Sequence, residues 1–317
     1  MDRIATIGGG TGSYTLLRAL KNYDLDLGAI VSASDNGKSS GELRDEFGIL
    51  PPGDARRCLI ALSEGEGQAL WRRIFEYTFG GEREKHNLGN LIITALTDIY
   101  QGDTQSALDE VSRMLGVRGR VIYATLDNVH LCAELEDGEI IKGETNIDMP
   151  KHNPEKKIKR VYLNPEAFAY KKAIETIDEA NLIVIGPGDL YTSIIPNLLV
   201  NGIPETIRGS KARKVYVCNV MTKNGETNNF GAIDFVKEFK KYLGDYPDIV
   251  LCNNNQPSKE ILEKYSSEKS SFVEPNIEDN RDFKVIKEDL IDEENAKKEG
   301  LIRHDSKKLG RLIRSLL

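Results

Sequence analysis

Near the N-terminus a short apolar run, Arg3 to Ile7, breaks off into Gly8-Gly9-Gly10-Thr11-Gly12-Ser13. A β-branched run stopped by glycines reads as a buried strand. Tyr14, Leu16, Leu17 and Leu20 then follow at helical spacing, and a second apolar run covers Leu27 to Ala33. Strand, helix and strand within about thirty residues predict a parallel pair joined by a right-handed crossover. In that setting the glycines let the backbone pass close to a diphosphate, and the helix N-terminus offers it unpaired N–H groups. The dinucleotide fingerprint is incomplete, because its third glycine position is Ser13. Gly8, Gly9, Gly10, Thr11 and Gly12 are therefore candidates for a nucleotide or phosphate seat.

The remaining chain is read around that unit. Asp54 can cap a helix carrying Cys58, Leu59, Ile60 and Leu62. Leu70, Ile74 and Tyr77 repeat at helical spacing, as do Leu88, Leu91, Ile92, Ala95, Leu96 and Ile99, and Asp103 caps a further helix. Strands return at Val121 to Ala124, and Asp137-Gly138 reads as the turn of a hairpin between His130–Leu135 and Glu139–Lys142. The polar stretch Asp148 to Arg160, with Lys156, Lys157, Lys159 and Arg160, reads as a mobile surface loop; a polyanion contact is the lesser reading. Alternation resumes with a strand at Val161 to Leu163, a helix from Pro165 to Asp178 and a strand at Leu182 to Ile185. Lys214 to Asn219, Phe235 to Leu243 and Ile249 to Cys252 complete it as strand, helix and strand. The predicted fold is α/β and Rossmann-like, a mostly parallel sheet with helices on both faces. A single domain over 1–317 is expected, with a helical insertion at about 41–118 and a charged C-terminal extension at about 270–317. Leu309, Leu312, Ile313 and Leu316 share one face of a terminal helix, which would pack on the body or on a sister subunit.

Charge and cysteine content narrow the function classes. With 43 basic and 50 acidic residues the net charge is −7, which disfavours a nucleic-acid partner. Cys58, Cys132, Cys218 and Cys252 lie far apart beside apolar residues, as buried thiols do in a reducing compartment. The N-terminal apolar run is too short for a signal peptide, and no segment approaches the roughly 18 apolar residues of a membrane helix. A cytoplasmic location without membrane insertion is expected.

Five further clusters could carry chemistry. After the second strand comes Ser34-Asp35-Asn36-Gly37-Lys38-Ser39-Ser40. Asp35 lies about where a dinucleotide fold places its ribose-binding acid, while Asn36, Lys38, Ser39 and Ser40 suit an anionic group. A P-loop is rejected there, since its leading glycine would fall on Ser32. Pro51-Pro52-Gly53-Asp54-Ala55-Arg56-Arg57 opens a helix, its arginines either anion ligands or ordinary surface charge. His86-Asn87-Leu88-Gly89-Asn90 opens another, with His86, Asn87 and Asn90 able to line a pocket. The buried strand ending at Ile185 runs into Gly186-Pro187-Gly188-Asp189-Leu190-Tyr191-Thr192-Ser193, a second seat at the carboxyl edge of the same sheet. Asn219 and Thr222 follow the next strand and are candidates for ribose or sugar hydroxyls.

Together and in this order, these segments resemble the gluconeogenesis factor (YvcK) family within the CofD-like superfamily. The resemblance rests on Gly8 to Gly12, Asp35 to Arg44, Leu50 to Asp54, His86 to Leu91, Gly186 to Ser193, and Asn219 to Thr222 with Gly225-Glu226-Thr227. It implies a nucleotide-sugar ligand, UDP-glucose or UDP-N-acetylglucosamine, and a regulatory role joining central carbon metabolism to cell-wall synthesis and cell shape. No cofactor is required on that reading and no catalytic residue is assigned; the amphipathic terminal helix makes a homodimer the expectation. The alternative is a CofD-type transferase that moves a phospholactyl group from a nucleotide diphosphate adduct with Mg²⁺. Where the family commonly has two aspartates and two glycines, this chain reads Asp35-Asn36-Gly37-Lys38. The lost acid argues against a carboxylate metal site and for direct neutralisation of phosphate. An NAD(P)-dependent oxidoreductase would rest only on Gly8-x-Gly10 and Asp35.

Overall fold

A computed structural model describes residues 1–80 and 86–317, the side chains of Lys38 and Glu299 excepted. Seven parallel strands form the main sheet: β1 (Asp2–Gly8), β2 (Leu25–Val31), β3 (Arg120–Tyr123), β7 (Leu182–Ile185), β8 (Arg213–Val217), β9 (Ile249–Asn253) and β10 (Lys284–Glu288). Their order is β10-β9-β8-β7-β1-β2-β3. A second, antiparallel sheet of three strands, β4 (His130–Leu135), β5 (Ile140–Lys142) and β6 (Ile158–Asn164), has the order β5-β4-β6.

Alternation along the main strands explains two cores. Ala5, Ile7, Ile183 and Ile185 point to one face, and Ile4, Leu182 and Val184 to the other. The first face is covered by helices Lys171–Asp178, Ile203–Gly209 and Ala232–Leu243 and by the small sheet. The second is covered by Gly10–Leu20, Gly53–Leu62, Thr104–Met114 and the terminal helix Ser306–Arg314. A parallel sheet buried on both faces needs strands that are apolar throughout, which β7 (Leu-Ile-Val-Ile) satisfies. No helix among the described residues is long and apolar enough to cross a membrane.

The α/β class, the helices on both faces and the hairpin around Asp137-Gly138 match the sequence reading. Several local expectations are corrected. Lys159 and Arg160 lie on β6 and pair with Glu134, so the basic stretch is partly a neutralised strand. Val161 to Leu163 belongs to the small antiparallel sheet, outside the main alternation. The helix expected from Pro165 begins only at Lys171. The charge-rich C-terminal region supplies β10, an edge strand whose mixed charge hid it from the apolar pattern. The terminal helix packs on the body, with Leu309 and Ile313 in the core that holds Leu16 and Leu17. It therefore gives no argument for a dimer.

One surface helix buries a mixed polar and apolar face. In Leu88–Ile99 the buried positions are Gly89, Asn90, Ile93, Thr94 and Thr97. Ile93 belongs to the core and Ile92 and Leu96 pack against it in part, while Ala95 and Ile99 are exposed.

Candidate functional site

From β1 the chain passes outward through β2 to β3 on one side, then returns to β7 and builds β8, β9 and β10 on the other. The order reverses between β1 and β7, and crevices at the carboxyl ends of such reversal points are where open α/β sheets take ligands. The two glycine turns meet there. A Cβ on Gly12 would lie 2.0 Å from the Pro187 carbonyl oxygen, so only glycine admits that approach. The Gly186 N–H donates to the Ile7 carbonyl at 2.9 Å, extending the ladder to the rim.

A cleft of about 1060 Å³ opens at this rim. Of the residues singled out in the sequence, it is lined by Gly9, Gly10, Thr11, Gly12, Asp35, Asn36, Ser39, Ser40, Asn87 and Asn90 on the side of β1 and β2. Pro187, Gly188, Thr192, Ser193, Asn219 and Thr222 line it from β7 and β8. Five others are not brought to the lining. Gly8 ends β1 and Gly186 directly follows β7, and Leu190 and Tyr191 are buried in the core. His86 stands beside Glu42 at 3.7 Å, and the side chain of Lys38 lies outside the described residues.

Many of the lining side chains are already engaged with one another. Asn87 caps helix Leu88–Ile99 by accepting from the Asn90 N–H at 3.2 Å, and Asn90 donates to the Ser39 hydroxyl at 3.1 Å. Asn36 accepts from the Thr145 N–H at 2.6 Å, which carries helix Glu144–Asp148 to the cleft. Asn219 donates to the Gly188 carbonyl at 2.9 Å, linking the loops after β7 and β8. Thr222 is held by Ser271, whose N–H donates to its hydroxyl at 2.8 Å. These groups fix the wall first and face a ligand second.

Asp54 is not the N-cap of its helix, as its position in the sequence suggested. Pro52 holds that place, and the Asp54 carboxylate instead accepts from the Gly10 N–H at 2.8 Å, 44 residues away. It therefore sits on the positive N-terminus of helix Gly10–Leu20, and one main-chain donor of the glycine turn is committed to it. A Cβ on Gly53 would lie 2.3 Å from the Asp35 carboxylate, so both acids crowd the same corner. Burial, then the charge of Asp35, pushes Asp54 up to about 7. Burial, then Asp35, likewise pushes Glu144 up to about 8.

Positive charge enters from several elements. Arg56 donates to Asn90 and to the Phe75 carbonyl, each at 2.8 Å, and burial lowers it to about 10. Arg57 reaches the Thr11 hydroxyl at 3.2 Å. Lys223, also on the lining, is surrounded by Asp148, Asp189 and Glu226 and held cationic by them. The far end is closed by Tyr265, Ile302, Arg303 and His304, from the charged C-terminal region. No local pattern marked these last four residues, which are joined by contacts outside any local period, such as the Ile302 N–H donating to the Tyr265 hydroxyl at 2.8 Å, 37 residues away. The signal for Asp54 was present, in Gly53-Asp54-Ala55-Arg56-Arg57, but a cap explained it equally well.

Comparison with known proteins decides the family. The profile of 2-phospho-L-lactate transferase CofD matches residues 4–291. The gluconeogenesis factor of Bacillus subtilis is 43% identical over 321 residues, covering 99% of this chain and 98% of its own. The chain belongs to the gluconeogenesis factor (YvcK) family of the CofD-like superfamily. The gluconeogenesis factor of Halalkalibacterium halodurans is 41% identical, covering 98% of this chain and 95% of its own. A crystal structure of a Bacillus halodurans protein superposes with a TM-score of 0.90 at 40% identity, covering 98% of this chain and 99% of that one. Membership in the gluconeogenesis factor family agrees with the six sequence clusters and with the sheet that presents them.

Proposed function

We propose that this protein is a nucleotide-sugar-binding regulator, taking UDP-glucose or UDP-N-acetylglucosamine in the cleft at the sheet reversal. The observation that carries the reading is the meeting of the glycine turns after β1 and β7 over one large polar cleft with arginines on its walls. A diphosphate fits beside Thr11, Gly12 and Ser193, where Arg57 brings charge and Asp54 does not occupy the backbone. The cleft is also larger than most small-ligand sites, which leaves room for a base and a sugar beyond the phosphates. The relatives' name, gluconeogenesis factor, supports a role in carbon metabolism; the link to cell-wall synthesis and cell shape rests on the family resemblance alone.

Isothermal titration with UDP-glucose, UDP-N-acetylglucosamine, GDP and NAD tests the reading. Saturable binding of a UDP-sugar, weakened at least tenfold in Arg57→Ala, is expected. Binding of GDP or NAD with no response to either UDP-sugar would overturn it.

One observation favours the transferase as a second reading. Asp35 and Asp54 share a corner, and burial together with the charge of Asp35 pushes Asp54 up, a strain that a divalent cation between the two carboxylates would relieve. Asp35 and Asp54 would hold Mg²⁺, which would supply charge neutralisation at a transferring phosphorus group. Turnover of a guanosine diphosphate adduct with a deazaflavin acceptor and Mg²⁺, abolished in Asp54→Asn, would establish it in place of the first.

A further inference from the structure

His304 is only 8% exposed, yet it forms part of the cleft wall. It lies beyond the residues matched by the transferase profile, on the segment that bridges back to Ile291. Main-chain bonds hold that segment on both sides of the histidine. The Asp292 N–H donates to the Arg303 carbonyl at 3.1 Å and the Asp305 N–H to the Leu290 carbonyl at 2.7 Å. One residue further, the Ser306 hydroxyl donates to the Thr15 carbonyl at 3.1 Å. The imidazole is thus fixed in the wall by the backbone around it. One of its nitrogens is engaged and the other is not. The Cys218 carbonyl accepts from the ring, while Nε2 is buried without a partner among the described residues. Burial lowers the ring to about 4, so it is neutral near pH 7, and with its proton turned to Cys218 the free Nε2 is an acceptor. The residue after Cys218 repeats the pattern. Asn219 turns its amide N–H to the Gly188 carbonyl at 2.9 Å, which fixes its orientation, and its Oδ1 is buried without a partner among the described residues.

We infer that His304 Nε2 and Asn219 Oδ1 form a hydroxyl-reading subsite, which accepts hydrogen bonds from a vicinal diol of the ligand. Folded chains rarely keep a buried acceptor without a donor, because its lost hydration is not replaced. Here two such acceptors stand on the wall of one cleft, joined through Cys218 and its neighbour, so their donors come from what fills the cleft. Both are neutral acceptors, which repel a phosphate oxygen and suit a group that brings two O–H donors. Positive charge stands elsewhere, with Arg57 at the Thr11 hydroxyl on the β1 side. The cleft therefore sorts a ligand by its ends, anion toward the first glycine turn and hydroxyls toward Asn219 and His304. The inference rests on the nucleotide-sugar reading above. In such a ligand the ribose and the hexose both carry a vicinal diol, and the experiment separates them.

Titration calorimetry of the full chain is run with UDP-glucose and with two analogues, one lacking both ribose hydroxyls and one lacking the hexose 3-hydroxyl. One of the two analogues should bind the wild type about tenfold or more weakly, and which one names the diol that is read. In His304→Asn the shorter amide keeps a donor for Cys218 and leaves no acceptor at the Nε2 position. That variant should bind UDP-glucose about tenfold more weakly, and the same analogue should cost it less than about threefold further. His304→Gln, which carries an amide oxygen to the Nε2 position, should restore most of the affinity. The wild type alone gives a second readout: the imidazole nitrogen resonance of Nε2 should move upfield on saturation, as it does when that nitrogen accepts a hydrogen bond. This signal also separates the inference from the reading on which it rests. If GDP binds and no UDP-sugar does, the nucleotide-sugar reading falls, and the Nε2 resonance in the GDP complex still decides whether the acceptors take a ribose. Wild-type affinity indifferent to both losses of hydroxyl, an Nε2 resonance unmoved in the saturated complex, or a chain that binds none of these nucleotides overturns the inference and leaves the two acceptors to buried water.

Discussion

Asp54 shows how a single carboxyl can carry three duties. It accepts from the Gly10 N–H, it faces Asp35, and it occupies the dipole end of helix Gly10–Leu20. Its ordinary value is 3.8, and in the fold it stands at about 7. Between these two limits the folded chain holds a proton that the unfolded chain has released, so stability falls as pH rises through the window. Glu144, raised to about 8, extends the same slope upward. Asp54→Asn keeps an acceptor for Gly10 and removes the titration. The variant should therefore be more stable than the wild type by roughly 1–3 kcal/mol at pH 8, and equal to it near pH 4. Chemical denaturation from pH 4 to pH 8 measures this, and parallel curves for the two proteins would refute the assignment.

At the scale of elements, what could be read from the sequence was the kind of each segment more than the direction it faces. The strand-glycine-helix start, β7 with its Gly-Pro-Gly exit, and the hairpin were legible because each rests on local chemistry: β-branching, glycine, and a two-residue turn. Helix Leu88–Ile99 was legible as a helix from its period, but not the burial of Asn90, Thr94 and Thr97 beside Ile93, which polar contacts at the cleft decide. Strand β10 was hidden because an edge strand carries charge on its open side. Asp54, Lys223 and His304 came to the cleft through pairings that no spacing records. The contact between the two glycine turns is the most exacting of the features that were foreseen. Gly12→Ala would set a methyl group against the backbone of Pro187 and Gly188, which no side-chain rearrangement relieves. We expect a loss of roughly 1–3 kcal/mol in unfolding free energy and the loss of nucleotide-sugar binding. Gly12→Ala with wild-type stability and affinity would show that the turns do not meet as described.

For the whole molecule, the question is what joins the small antiparallel sheet to the main one at the cleft. Asp148 ends the helix that follows β5, Asp189 follows β7, and Glu226 follows β8, so the three acids come from both sheets. Their oxygens lie within 4.8 Å of one another, a spacing that could hold a cation. Here the cation is internal: the Lys223 ammonium lies 2.7 Å from Asp189 and 3.2 Å from Glu226, and it also bonds Asp148. Burial pushes Glu226 up while Lys223 opposes the shift, and the three acids keep Lys223 protonated. Removing one member of such a cluster leaves the others uncompensated, which costs more than the pairing itself contributes. Lys223→Ala should therefore lose about 2–4 kcal/mol at pH 8, and less near pH 5, where the acids can take up protons. The vacated position should also accept Ca²⁺. About 5 mM CaCl₂ is expected to raise the melting temperature of Lys223→Ala by several degrees more than that of the wild type, where the ammonium fills the place. If the variant melts as the wild type does at pH 8 and calcium moves both alike, the two sheets are held at the cleft by apolar packing alone, and Lys223 is free to face the ligand.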